Sequence, residues 1–267
     1  MSLRVGLPLL ALLLAGSGRA ADSAAPQSLS IAAAANLVFA VKTLNIEFQK
    51  TDPGVRVTSM TGASGSLVAQ IEHGAPFDVF LSADLDFPRA LIRAGQADES
   101  SLATFALGRL VFWTTRPGLD VNDIAAVVRN PEVGKLAIAN LRTAPYGRAA
   151  KAALEKLGVW NEAQPKLVFG ENIAQTTEFV QTGNAAAGFV ALSIVISPQL
   201  KAKGRWVEVP PDFYPPIEQG AVITRHGKIN PAAARYIAFL HSPAARAVLE
   251  KYGYGLPVEA QARPPRL

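Results

Sequence analysis

No cysteine occurs among the 267 residues, and there are only three histidines. A chain without cysteine has no disulfide, no thiolate nucleophile, no cysteine metal ligand and no residue to carry a lipid anchor. His73, His226 and His241 stand apart from one another, without the spacing of a zinc or iron site. None has an evident nucleophile and orienting group beside it, so each reads as a solvated residue rather than a catalytic base. Basic runs are missing too. The 26 Lys and Arg are scattered among 21 Asp and Glu, which argues against the clustered basic stripe that nucleic-acid binding needs. Trp113, Trp160 and Trp206 are spread along the chain and read as packing residues.

The one long apolar run is at the amino terminus. Arg4 precedes Val5–Ala15, and small residues follow from Gly16 to Ala21. This is the order of a secretory signal peptide, and the run is short for a membrane span. Cleavage after Ala20 or Ala21 is expected, giving a signal peptide over 1–20 and a freely diffusing product in a periplasm-like space. The net charge then falls from +5 to +3 as Arg4 and Arg19 leave. The remaining chain, about 245 residues at 49% hydrophobic content overall, suits two compact lobes better than one small core.

From Leu29 onward, short apolar runs alternate with helical patterns. Leu29–Ala33 reads as a strand; Leu37, Val41, Leu44 and Phe48 then mark one helix face by their spacing of four, three and four. Further strands are expected at 55–60, 77–81, 110–115, 135–139, 166–169, 187–191, 206–209 and 221–224. Helices are expected at 66–73, 86–93, 145–157 and 172–181, with another starting near Ser193. Asn230-Pro231 and Ser242-Pro243 announce two final helices, since a capping side chain followed by proline suits a helix start. This alternation predicts an α/β chain of mostly parallel sheets flanked by helices. A first crossing between lobes is expected near Gly108-Arg109, with a return between Pro210-Pro211 and Pro215-Pro216. Residues 28–108 plus 219–267 would form lobe 1, and 109–218 an inserted lobe 2, with the ligand cleft between them.

The chemistry falls where strands end. Ala34-Ala35-Asn36, Ala63-Ser64-Gly65-Ser66, Ala144-Pro145-Tyr146-Gly147 and Gly170-Glu171-Asn172-Ile173 each lead from a strand into a helix. In open α/β sheets ligands sit beyond the carboxyl ends of strands. Helix N-termini there present unpaired N–H groups and a partial positive charge. Small residues admit a ligand to the backbone, and Asn36, Ser64 and Tyr146 add neutral donors. Such a set suits an anion with many oxygens and no proton to give. Taken singly, Asn36, Ser64 and Asn172 are equally ordinary as helix caps. Asp78 and Asp84 invite a carboxylate-pair reading, but their spacing fits tying down the turn after a strand.

Three segments carry a more specific likeness: Ala32–Leu37, Gly62–Leu67 and Ile71–Asp84 (IEHGAPFDVFLSAD). With Tyr146-Gly147, the helix Ala149–Leu157, Glu171-Asn172-Ile173 and Lys251-Tyr252-Gly253, they resemble the periplasmic molybdate-binding proteins of ABC importers over essentially the whole mature chain. The resemblance implies a two-lobed type II periplasmic binding protein fold closing on a dehydrated oxyanion, molybdate or tungstate, with no cofactor and no direct metal-cation ligand. It implies contacts from the backbone N–H of Ala35 and Ile173 and from Asn36, Ser64 and Tyr146 with their side chains. Many members have serine where Asn36 stands, and some carry a ligand-touching tyrosine at Ala191; this chain resembles the subset with Asn36 and Tyr146. The partners implied are the transporter's membrane permease with its cytoplasmic ATPase. The protein is expected to be a monomer and not an enzyme.

Two other readings stay open on the residues alone. One keeps the fold and changes the ligand to sulfate, phosphonate or a small organic acid, the last favouring an Arg clamp from Arg142 or Arg148. The other is a secreted serine hydrolase using Ser64, although Gly62-Ala63-Ser64-Gly65 places its second glycine one residue early for a nucleophile elbow.

Overall fold

A computed structural model describes residues 27–257; the expected signal peptide and residues 258–267 lie outside the described residues. In chain order, β1 (Gln27–Ala34) leads through a 3₁₀ turn (Ala35–Leu37) to α1 (Ala40–Thr51), β2 (Val55–Gly62), α2 (Ser64–Glu72), β3 (Val79–Ser82), α3 (Asp86–Arg93) and β4 (Ala103–Gly108). Next come β5 (Leu110–Thr114), α4 (Ile124–Arg129), β6 (Leu136–Ala139), α5 (Pro145–Lys156), α6 (Trp160–Ala163) and β7 (Leu167–Gly170). They are followed by α7 (Ile173–Gln181), β8 (Ala187–Ala191), α8 (Leu192–Val195) and β9 (Arg205–Glu208). The chain closes with β10 (Ile217–Ile223), α9 (Pro231–Phe239) and α10 (Pro243–Lys251).

The strands form two five-stranded sheets, ordered β2-β1-β3-β10-β4 and β7-β6-β8-β5-β9. In the first, β1 runs parallel to β2 and β3, while β10 runs antiparallel to β3 and β4. In the second, β6 runs parallel to β7 and β8, while β5 runs antiparallel to β8 and β9. Each sheet therefore has a single reversed strand, β10 or β5. The chain passes from the first sheet to the second at Arg109 and returns between Glu208 and Ile217.

Side-chain alternation along the strands builds a core on each face. Leu29, Ile31 and Ala33 of β1 pack with Val41, Leu44 and Phe48 of α1 and with Tyr236 and Leu249 of the last two helices. Ala32 points the other way, joining Phe80, Leu67, Ile71 and Leu91 beneath α2 and α3. In the second sheet Phe112, Ile138 and Phe189 meet Ala150, Ala153 and Leu154 of α5. Val111, Trp113 and Ala137 lie on the opposite face with Val180 of α7. Both helix starts marked by proline are capped as their sequences suggest: Asn230 accepts from the Ala232 N–H and Ser242 from the Ala245 N–H.

Several elements differ from the sequence reading. Strand β4 had no counterpart there; it forms because β10 offers it an edge, with Ile217 opposite Gly108 and Ala221 opposite Ala103. β10 itself starts four residues ahead of the expected Ala221. Helices α4 and α6 were likewise not read; α4 is a short helix capped by the Asp123 side chain, which accepts from the Ala126 N–H. Helix α2 begins at Ser64 rather than Ser66, which places Ser64 in the first turn.

Candidate functional site

The carboxyl ends of β1, β2, β3, β6 and β7 face one small hollow. It is lined by Ala34, Ala35 and Asn36, by Gly62, Ala63 and Ser64, by Ala83, by Ala144, Pro145 and Tyr146, and by Asn172 and Ile173. Its cavity volume is about 10 Å³, far below the roughly 300–1,000 Å³ of pockets for drug-sized ligands. That leaves room for a small ion at most. Larger depressions exist, one of about 780 Å³ beside Thr115, Lys135 and Asn184, but they are open surface grooves. The five residues singled out in sequence, Ala35, Asn36, Ser64, Tyr146 and Ile173, thus come to one place, and all are buried.

The wall is built of hydrogen-bond donors. Asn172 caps α7 by accepting from the N–H groups of Ala174 and Gln175, which leaves the Ile173 N–H over. Proline at position 145 has no N–H to give, and the first free donor of α5 is the Tyr146 N–H. Among the described residues, the N–H groups of Ala35, Asn36, Tyr146 and Ile173 have no acceptor in the protein. Burying four such groups without partners is costly, so they mark a place prepared for an acceptor. The Ser64 hydroxyl oxygen accepts from the Ala83 N–H at 3.1 Å, so its own proton remains to be given. No residue lining the hollow is charged.

The side chains of Asn36 and Tyr146, which the resemblance gives to the ligand, have these surroundings. Asn36 Nδ2 donates to Gln219 Oε1 at 2.8 Å and to the Tyr254 hydroxyl at 2.9 Å. Both amide hydrogens are therefore spent on the support behind the hollow. The Asn36 carbonyl in turn accepts from Ser193 Oγ and from the Tyr254 hydroxyl, each at 2.9 Å. The Tyr146 hydroxyl packs against Gly108, where a Cβ would overlap it. Asn36 and Tyr146 line the hollow with unpaired backbone N–H groups, Ser64 keeps a hydroxyl proton to give there, and the Tyr146 hydroxyl proton is likewise uncommitted beside Gly108. The Tyr146 hydroxyl and Asn36 Oδ1 are both buried without a partner. Burial, and then the hydroxyls of Tyr254 and Tyr214, hold Tyr146 well above the usual phenol range, against a small lowering by the Asn36 side chain.

Gln219, Tyr254 and Ser193 were missed in the sequence reading. Gln219 directly precedes the apolar end of β10, Gly220–Ile223, and as a fully buried amide it needs partners. Tyr254 is placed by an antiparallel bridge between Leu107 and Gly255, a long-range pairing with no local signature.

The histidines lie away from this hollow. His73 is exposed, with its ring against the Ala69 carbonyl, and His226 lies 3.8 Å from Asp78 on the surface. His241 departs from the solvated reading: it is half-buried, its Nε2 lacks a partner, and burial lowers its pKa. With no base at Ser64, nucleophilic catalysis has no support there. Asp84 accepts from the Phe87 N–H and so ties down its turn as expected; Asp78 accepts from the Ser30 N–H. Arg148 is paired with Asp84, and Arg142 is exposed, so neither forms a clamp within the hollow. Among the described residues there is no group of His, Asp and Glu side chains that could hold a metal ion, and no helix long and apolar enough to cross a membrane.

Residues 29–255 match the bacterial extracellular solute-binding protein family, and the chain belongs to it. Within that class it falls with the molybdate-binding proteins. It is 43% identical to the molybdate-binding protein ModA of Azotobacter vinelandii, over 90% of this chain and 95% of that one. It is 42% identical to the ModA of Rhodobacter capsulatus, over 95% and 96%. The solved structure of the Azotobacter vinelandii periplasmic molybdate-binding protein superposes with a TM-score of 0.80 at 34% identity, covering 86% of this chain and all of the other. These relatives are binding proteins and not enzymes, in agreement with a site that has donors but no base.

Proposed function

We propose that this protein captures molybdate, and tungstate with it, in the hollow between its two sheets, and delivers the ion to the membrane permease of an ABC importer driven by a cytoplasmic ATPase. The observation that carries this reading is the convergence of four unpartnered backbone N–H groups and one free hydroxyl on a single small, uncharged hollow. Ala35, Asn36, Tyr146 and Ile173 would give their N–H groups and Ser64 its hydroxyl. A hydrogen bond from a neutral donor to a charged oxygen contributes roughly 1.5–3 kcal/mol. Several together offset the cost of stripping water from a dianion and of closing the lobes, and helix N-termini add their partial charge. No cofactor takes part.

The two lobes on this reading are 28–108 with 219–267, and 109–218, and they close over the ion as rigid bodies. The protein acts as a periplasmic monomer after cleavage of residues 1–20. Tungstate binds almost as well as molybdate because the two dianions are nearly equal in size and charge. Sulfate, with shorter bonds, does not touch every donor at once. Titration calorimetry on the purified mature chain tests this. The expected result is micromolar or tighter affinity for molybdate, a similar value for tungstate, and sulfate at least tenfold weaker (about 1.4 kcal/mol). Sulfate binding as tightly as molybdate overturns the assignment.

A further inference from the structure

We propose that Asp84 and Arg148 form a clasp across the mouth of the cleft that sets how long the bound oxyanion stays; the inference rests on the receptor reading above and extends it to residues that do not line the hollow. Asp84 follows β3 in the first sheet, one residue after Ala83, which lines the hollow. Arg148 lies on α5 beside the second sheet, two residues after Tyr146, which also lines it. The two side chains form an ion pair between Arg148 Nη2 and Asp84 Oδ2.

The acceptor half is held ready. Asp84 Oδ1 accepts from the Phe87 N–H at 3.1 Å and from Ser82 Oγ at 3.2 Å, so the carboxylate loses little freedom when the arginine arrives. The Arg148 guanidinium also sits 5.3 Å from the centre of the Phe87 ring on α3, a cation–π contact. Beside it a backbone bond crosses the same gap, from the Gly65 N–H of α2 to the Thr143 carbonyl at 2.9 Å. Phe87 and Thr143 press on Gly65 closely enough that an added Cβ would lie 2.9 Å from the ring. The Arg148–Asp84 pair, the Arg148–Phe87 contact and the Gly65–Thr143 bond join the first sheet's elements to the second's, so these three exist only while the lobes are together.

Contacts made only in the closed state shift the open–closed equilibrium without touching the ligand. Opening must break them before the ion can leave, whereas capture begins from the open form. Their loss therefore falls on dissociation rather than association. A partly exposed pair has a modest effect, and the expected change is about a three- to tenfold faster release.

The test measures release of radioactive molybdate from the full mature protein on chase with unlabelled molybdate, for Arg148→Gln, Asp84→Asn, Arg148→Lys and the double variant Arg148→Gln with Asp84→Asn. Both glutamine and asparagine variants should release faster with unchanged association rates and unfolding midpoints near the parent's. The double variant should be no faster than the worse single one, and Arg148→Lys should fall between parent and Arg148→Gln. Parent-like release in both single variants, additive effects in the double, or a loss confined to association overturns the clasp. A second arm needs no ligand. Because the chain has no cysteine, spin labels at Glu72→Cys and Asn161→Cys report the distance between lobes. Arg148→Gln should lower the closed fraction, and an unchanged fraction overturns the clasp. Failure of the parent to bind molybdate, with the closed fraction still falling, would sink the ligand assignment alone.

Discussion

The Ala83 N–H holds the Ser64 hydroxyl oxygen at 3.1 Å, so a backbone group of one loop fixes the side chain of another at the point where both meet the hollow. With that lone pair occupied, the Ser64 proton is the donor left for a ligand. Replacing Ser64 by alanine removes one charge-assisted hydrogen bond, about 1.5–3 kcal/mol. Titration calorimetry should show the molybdate dissociation constant rising roughly ten- to a hundredfold. No ester or amide turnover is expected in either form.

Asn36→Asp should weaken binding more severely. The native amide gives both hydrogens to Gln219 and Tyr254, and a carboxylate has none to give. It also sets a negative charge beside a dianion in a buried site, where repulsion is poorly screened. Affinity should fall by more than about a hundredfold at neutral pH, while circular dichroism shows the fold retained.

Gly108 is where the chain crosses from β4 to β5, and a Cβ there would overlap the Tyr146 hydroxyl and lie 2.9 Å from Gln219 Nε2. Gly108→Ala should therefore destabilise the protein by about 1–3 kcal/mol through overpacking. Removing the hydroxyl makes room, so adding Tyr146→Phe should recover part of that loss. Urea unfolding of the two variants measures both effects, and a second substitution that only adds to the damage would show the crowding to lie elsewhere.

Alkaline pH should erode stability from a definite starting point. Tyr146, Tyr236 and Tyr254 are buried, and burial is the largest cause holding each above the ordinary phenol value. Below pH 10 these groups are protonated whether the chain is folded or not. Above it the unfolded chain releases their protons and the folded chain does not, so folding becomes less favourable as pH rises. The slope is about 1.4 kcal/mol per pH unit for each blocked group. Unfolding free energies measured between pH 9 and 11 should fall accordingly, and Tyr236→Phe should make the fall shallower.

The strands and helices with strong periodicity were legible in sequence. Leu37, Val41, Leu44 and Phe48 are all buried as their spacing requires, and α3 and β8 have the expected limits. The elements that were not legible depend on partners far away. Ala103–Gly108 is a weak strand until β10 and the Gly255 bridge flank it. The hollow itself was legible as a set of strand-to-helix turns, because a helix start and its small residues are local features. Its support was not: Asn36, Gln219, Ser193 and Tyr254 come from four distant stretches and meet only through the tertiary fold. That support decides which atoms of Asn36 remain to face the hollow, a question that residue identity alone does not answer.

Most donors in the hollow are main-chain amides, so ordinary side-chain replacement leaves them in place. An alanine scan does not reach these donors: position 35 is already alanine, and Ile173→Ala would report lost packing of a buried side chain rather than a lost N–H. Only an imino acid deletes the group. Ile173 and Ala35 are thus positions where proline, and little else, reveals what the chain contributes.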